Sequence, residues 1–213
     1  MADGNTHIYF GIGVLAALPV HLRDKLSRDM DAFYLGLQGP DPLIFDPRTQ
    51  KDARAYHKKW EEDGLPRLVH AMIYGDEAPC SFAAGGFLHY VLDDIVHPPI
   101  WKWMEEGANH MRMELALDFM ILAEEGITKM PRLFTQGRKR VAPYAHLLLP
   151  TAAANHYLTG LRNMQVTIDF LRTRGPEALG RLTLVEKDNV NTLRRLVDEG
   201  IQPTADRLVE LLG

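Results

Sequence analysis

Residues 85 to 118, GGFLHYVLDDIVHPPIWKWMEEGANHMRMELALD, constrain this chain more than any other stretch. His89, Asp93 and His97 stand four residues apart, and His110, Glu114 and Asp118 repeat that spacing. Four residues advance an α-helix by slightly more than one turn, so each trio forms a stripe along one helix face. Imidazoles and carboxylates ligate zinc and similar divalent ions, and two facing stripes can hold more than one ion. The competing reading is two ordinary polar faces whose histidines are satisfied by hydrogen bonds. A solvated face would more naturally carry Lys, Arg and Gln, and two stripes on either side of one short proline-containing break favour the metal reading.

The rest of the chain also shows the helical period. A buried helix is expected over residues 7 to 18, capped by Asn5 or Thr6 and stopped near Pro19. A second covers 20 to 37, with Leu22, Leu26, Met30, Phe33 and Leu37 on its apolar side. In the following loop, GPDPLIFDPRTQ, prolines on both sides of Asp41 restrict the backbone that presents it. Helices are expected near 52 to 62 and 65 to 74. Ser81 is a candidate cap for the helix of the first stripe, which Pro98 and Pro99 end immediately after His97. The second stripe then lies on a helix from Pro99 or Ile100 to Glu125, closed by Gly126. Residues 127 to 150 are less regular, and helices near 151 to 174, 177 to 199 and 203 to 212 close the chain.

No convincing alternating strand, composition shift, fixed-period repeat or low-complexity tract interrupts this pattern. Residues 1 to 213 are therefore expected to form a single all-α, multi-helix domain. Gly85 and Gly86 sit one turn before His89, and each costs a helix roughly 1 kcal/mol relative to alanine. That cost points either to a close helix crossing or to a space that a metal or ligand enters. Gly107 occupies the equivalent place before His110.

Hydrophobic residues at 46% and charged residues at 24% fit a soluble globular chain and not a disordered or membrane one. The net charge of −4 lacks the basic footprint of a nucleic-acid binder. Arg138, Lys139 and Arg140 form a short basic run, read as a solvated loop. The single cysteine, Cys80, rules out an intramolecular disulfide and is compatible with a reducing compartment. No stretch reaches the ~20 apolar residues that span a bilayer. The opening, MADGNTHIYFGIGVLAALPV, holds an apolar stretch, but the residues before it carry Asp3 and no Lys or Arg, unlike a signal peptide, so a cytoplasmic location is expected.

The strings FYLGLQGPDPLIF, HYVLDDIVHPPI and HMRMELALD, with Thr6-His7 near the start, resemble the zinc-dependent phospholipase C family, which is related to the S1/P1 nucleases. The resemblance covers about the first 120 residues. It implies an all-helical fold with a cluster of two or three zinc ions at the bottom of a cleft, where a metal-bound hydroxide hydrolyses phosphoric esters. It further implies that His89 and Asp93 ligate metal, with Asp93 bridging two ions, and that His97, His110 and Glu114 surround one ion. Asp41 resembles the family's ligand aspartate that also serves as a candidate general base. His57 is the better placed partner for that ion, with His70 as the alternative. His7 resembles the early histidine of the third ion, and Asp118 would orient a ligand imidazole. Two departures stand out: Met1-Ala2-Asp3 offers no counterpart to the family's initial tryptophan, and the interval from Asp93 to His97 is short.

His21, His146 and His156 read as surface or structural residues. Trp60, Trp101 and Trp103 read as core or cleft wall, and Met111, Met113, Met120 and Met164 as core fillers. Three function classes follow. The first is a metal-dependent hydrolase of phospholipids, nucleotides or small phosphate esters. The second is an iron-type redox or oxygen-binding bundle, disfavoured because the Glu-x2-His pairs of di-iron bundles are absent. The third is a catalytically silent, metal-stabilised scaffold. The sequence carries no signal for oligomeric state.

Overall fold

Both stripes lie on helices, and the helix of the first runs through the centre of the molecule. The computed structural model describes residues 4–57, 59–126, 135–180 and 184–213. In chain order the helices are α1 (Gly4–Ala17), α2 (Val20–Leu26), α3 (Met30–Gly36), α4 (Asp41–Ile44), α5 (Gln50–His57), a π-helical turn (Trp60–Gly64) and α6 (Leu65–Tyr74). They continue with α7 (Glu77–Glu105), α8 (His110–Glu124), α9 (Arg138–Val141), a 3-10 turn (Ala142–Leu147), α10 (Ala154–Gly180) and α11 (Leu184–Leu212). Among the described residues there is no strand, and the helices form one all-α domain. None of them is long and apolar enough to cross a membrane.

From Cys80 to Asp93 every residue of α7 is buried, the mark of a helix covered on all sides. α1, α2, α3, α6 and α11 pack around it. The closest crossing is with α3. A Cβ on Gly85 would collide with the backbone of Phe33 and Leu37, and one on Gly36 would collide with the Phe82 carbonyl. Gly85 therefore serves the helix crossing and not an entry space. Gly86 faces the Leu148 side chain. At the other end of the chain, Arg194 on α11 binds Glu124 of α8, Asp198 and the Tyr9 hydroxyl of α1, and lies over the Tyr9 ring. The C-terminal helix thus braces two helices that carry site residues.

Several boundaries differ from the sequence reading. Pro98 and Pro99 do not end the first stripe's helix, because α7 continues to Glu105 with both prolines inside. Their missing amides leave the carbonyls of Asp94 and Ile95 without helical partners, a cost that the burial of Val96 and Ile100 offsets. The second stripe's helix consequently starts late, at His110, with the Asn109 side chain capping the Arg112 amide. Gly107 lies in the intervening turn with φ +96 and has no helical counterpart role.

The helix expected over 20 to 37 is two, broken where Asp29 caps α3 through the Ala32 amide. Ser81 is no cap, since α7 begins at Glu77; its hydroxyl accepts the Asp29 amide instead. The helix expected over 52 to 62 gives way to the π turn at Trp60, and α10 extends past Gly175 and Pro176. The two closing helices are one, with Pro203 inside. Expectations for residues 1–3, 127–134 and 181–183 lie outside the described residues. Met113 and Met164 are core, as their spacing suggests, whereas Met111 is exposed.

Candidate metal centre

Asp93 is the hub of the two stripes. Its carboxylate is buried, and four imidazoles from three helices converge on it. His57 Nε2 lies 2.5 Å and His89 Nε2 3.2 Å from Oδ2; His7 Nε2 lies 3.3 Å and His97 Nε2 3.8 Å from Oδ1. A second carboxylate stands alongside. Glu114 Oε1 receives His110 Nε2 at 2.7 Å and His97 Nε2 at 3.2 Å. Two groups of donor atoms close enough to share an ion result, His7 with His89 and Asp93, and His97 with His110 and Glu114. His97 lies between the two carboxylates.

His89 supplies the test of whether these residues fit a metal. Its Nδ1 lies 3.1 Å from the Leu37 carbonyl, which only accepts, so Nδ1 carries a proton, and in the neutral ring Nε2 carries the lone pair. That buried Nε2 makes no hydrogen bond and faces Asp93 Oδ2. Between that nitrogen and the carboxylate oxygen a positive charge is required, either the second proton of an imidazolium or a metal ion. The ring is also held as in metal sites, where the second nitrogen donates to a backbone carbonyl. The donor set therefore fits a divalent ion.

The segment Leu35 to Asp41 explains how His89 is placed. Gly36 lets the end of α3 touch α7, which brings the Leu37 carbonyl to His89. Gly39 has φ +53, and any Cβ there would strike the His89 ring. Asp41 follows as the first residue of α4, buried and lining the cleft above the centre. α4 is fixed in turn by α10, whose Gly160 sits directly on the Pro42 carbonyl.

Asp118 acts on the centre through the backbone of α1. Its Oδ1 accepts the amide and hydroxyl of Thr6 at 2.8 and 2.6 Å, and its Oδ2 accepts the Asn5 side-chain amide at 3.0 Å. The cap expected from Asn5 or Thr6 thus comes from a distant helix, one residue before His7. The Asp118→Ala variant is expected to lose about 2–3 kcal/mol of stability in denaturant unfolding. It should also hold metal roughly 10- to 100-fold more weakly in competition titrations, as expected for residues that support ligands.

Burial by itself would push the Asp93 carboxyl up. The charges of His89 and His97 and the approach of His57 and His7 instead hold it well below the ordinary carboxylate range. Burial likewise opposes ionisation of Glu114, and surrounding positive charge, that of His110 and His97 included, outweighs it. Asp94, which the sequence reading passed over, lines the same cleft and accepts the Trp60 indole N–H at 2.8 Å. Burial pushes its carboxyl above the usual value.

The centre opens to a cleft of about 1030 Å3. Asp41, His57, Asp93, His97 and His110 line it, and its charged wall includes Arg54 and Lys59 as well as Glu61 and Glu62. Half-exposed Trp101 stacks on His97 at the mouth. Trp60 is buried, parallel to Tyr90 at 5.0 Å. The structure puts His57, at the end of α5, against Asp93; His70 is exposed on α6 beside Tyr74. His21 and His146 are on the surface. Arg54 and Lys59 were not singled out from sequence, since only the fold turns them towards the cleft. Arg140 of the basic run pairs with Asp29. Comparisons with protein-family models, curated proteins and solved structures found no match to this chain.

Proposed function

We propose that this protein is a metal-dependent hydrolase of phosphoric esters, of the zinc-dependent phospholipase C type. The observation that carries the reading is the convergence of four imidazoles on one buried carboxylate, Asp93, beside a second donor group at the floor of an open cleft. His7, His89 and Asp93 would hold one ion, and His97, His110 and Glu114 another. Asp93, set between the groups, is suited to be shared. His57 and Asp41 offer a nitrogen and a carboxylate to a further ion. A donor set rich in imidazole suits zinc. Divalent ions held by these residues would acidify water to a pKa near 7 and neutralise charge on a phosphoryl group.

The chain's own residues do the rest. Asp41, facing the cleft, takes the proton from the attacking water. Arg54 and Lys59 offer cations to the anionic ester at a rim that also carries Glu61 and Glu62, and the packed helices of the floor hold the imidazoles in place. Turnover of p-nitrophenyl phosphate or its bis ester, abolished by chelation and restored by zinc, is the expected result. A folded, zinc-loaded chain that turns over neither ester nor phosphatidylcholine contradicts the proposal, and so does iron with a visible absorbance band.

Acid should act in two steps. Protons compete with metal for the ligand nitrogens, so metal is expected to leave as the solution is acidified. Asp93 and Glu114, with depressed folded values, contribute stability that is fully present above their unfolded pKa near 4 and lost as pH falls through the folded values. Protonated imidazoles then replace the metal as countercharge. Metal analysis and circular dichroism across pH 8 to 3 should show metal loss well before unfolding.

A further inference from the structure

A second cavity, of about 470 Å3, adjoins the cleft, and Lys59 lines both. Tyr56, Arg67 and Thr151 form part of its wall. Arg67 stands in the first turn of α6 and is part-buried. Nη2 donates to the Tyr56 hydroxyl, and the guanidinium lies over the Tyr56 ring, 5.4 Å from its centroid. The Nε is buried and makes no hydrogen bond. Asp63, one turn earlier, and Asp52 also line the cavity, yet neither pairs with Arg67 among the described residues. Both carboxylates are exposed, where water and salt screen them.

A guanidinium drawn partly out of water and ion-paired with neither Asp52 nor Asp63 costs stability until an anion on its open side completes it. Such local conflicts concentrate at functional sites. Arginine's planar fork matches phosphate oxygens, and lysine adds a mobile positive charge. The Tyr56 and Thr151 hydroxyls supply neutral donors to the same space.

The geometry points to an oxyanion subsite at Arg67 and Lys59, so that the ester hydrolysed at the metal centre carries a second phosphate seated there. The identity of the ligand rests on the hydrolase reading; the anion site itself stands on Arg67, Lys59 and Tyr56. Hydrolysis in the cleft then acts on one phosphate while the other anchors the molecule next door.

Two measurements test this. Crystals soaked in selenate, a phosphate mimic located by its anomalous signal, should show the anion within hydrogen-bonding distance of Arg67 and Lys59. The kcat/KM for a hexose bisphosphate should exceed that for the hexose monophosphate by about tenfold or more. Arg67→Met should bring that ratio close to one. Lys59→Gln, a change at an exposed side chain, should lower the ratio without endangering the fold. The same ratio for phosphatidylinositol 4-phosphate against phosphatidylinositol in micelles tells a lipid headgroup from a soluble ester. Turnover with no preference in either pair and no selenate at Arg67 overturns the inference and leaves the hydrolase reading intact. Selenate at Arg67 in a chain that turns over no ester supports the site and overturns that reading.

Discussion

Asp93→Asn is expected to remove most of the bound metal and to lower phosphoric-ester hydrolysis by well over a hundredfold. The carboxylate is buried and faces His7, His57, His89 and His97, so no other side chain can take its place. Residues that merely support ligands cost about 10- to 100-fold when changed. A carboxylate placed between two donor groups should cost more. Asparagine matches aspartate in size, so the fold should persist, and circular dichroism separates lost chemistry from lost structure. His110→Ala should be milder, removing one donor from the His97 and Glu114 group while the group around Asp93 stays whole. If neither substitution changes metal content, the two stripes are ordinary polar faces.

The second large effect is expected from Gly85→Ala, which lies outside the ligand set. The added methyl would run into the backbone of Phe33 and Leu37, and backbone at a helix crossing cannot swing aside as a side chain does. Overpacking of this kind costs about 3 kcal/mol. For a chain of this size that lowers the melting temperature by roughly 6–12 °C. The displaced end of α3 would also pull the Leu37 carbonyl from His89 Nδ1, freeing the imidazole to turn. Metal affinity should therefore fall together with stability. Gly86→Ala, which meets the Leu148 side chain instead, should be the gentler change.

The stripes at 85 to 118 were legible because helical spacing alone puts His89, Asp93 and His97 on one face. His7, Asp41 and His57 entered through the resemblance, and the fold brings each to the same cleft or carboxylate. What the sequence concealed depends on tertiary contact. Pro98 and Pro99 signal a helix end locally, yet burial of Val96 and Ile100 carries α7 through them. Asn5 and Thr6 look like local caps, whereas the cap is Asp118, 112 residues from Thr6. Gly85 offered a choice between crossing and entry space that only the position of α3 resolves. Arg54, Lys59 and Arg67 belong to no motif, and only the fold shows which cavity each one lines.

The account turns on whether these donors hold metal in the folded protein. Metal content per chain, measured by mass spectrometry on protein purified without chelators at neutral pH, tests it most directly. Two or three zinc ions per folded chain are expected, falling sharply in Asp93→Asn. A folded chain with no stoichiometric metal would contradict the account, because the imidazoles around Asp93 would then serve only as its hydrogen-bond and ion-pair partners.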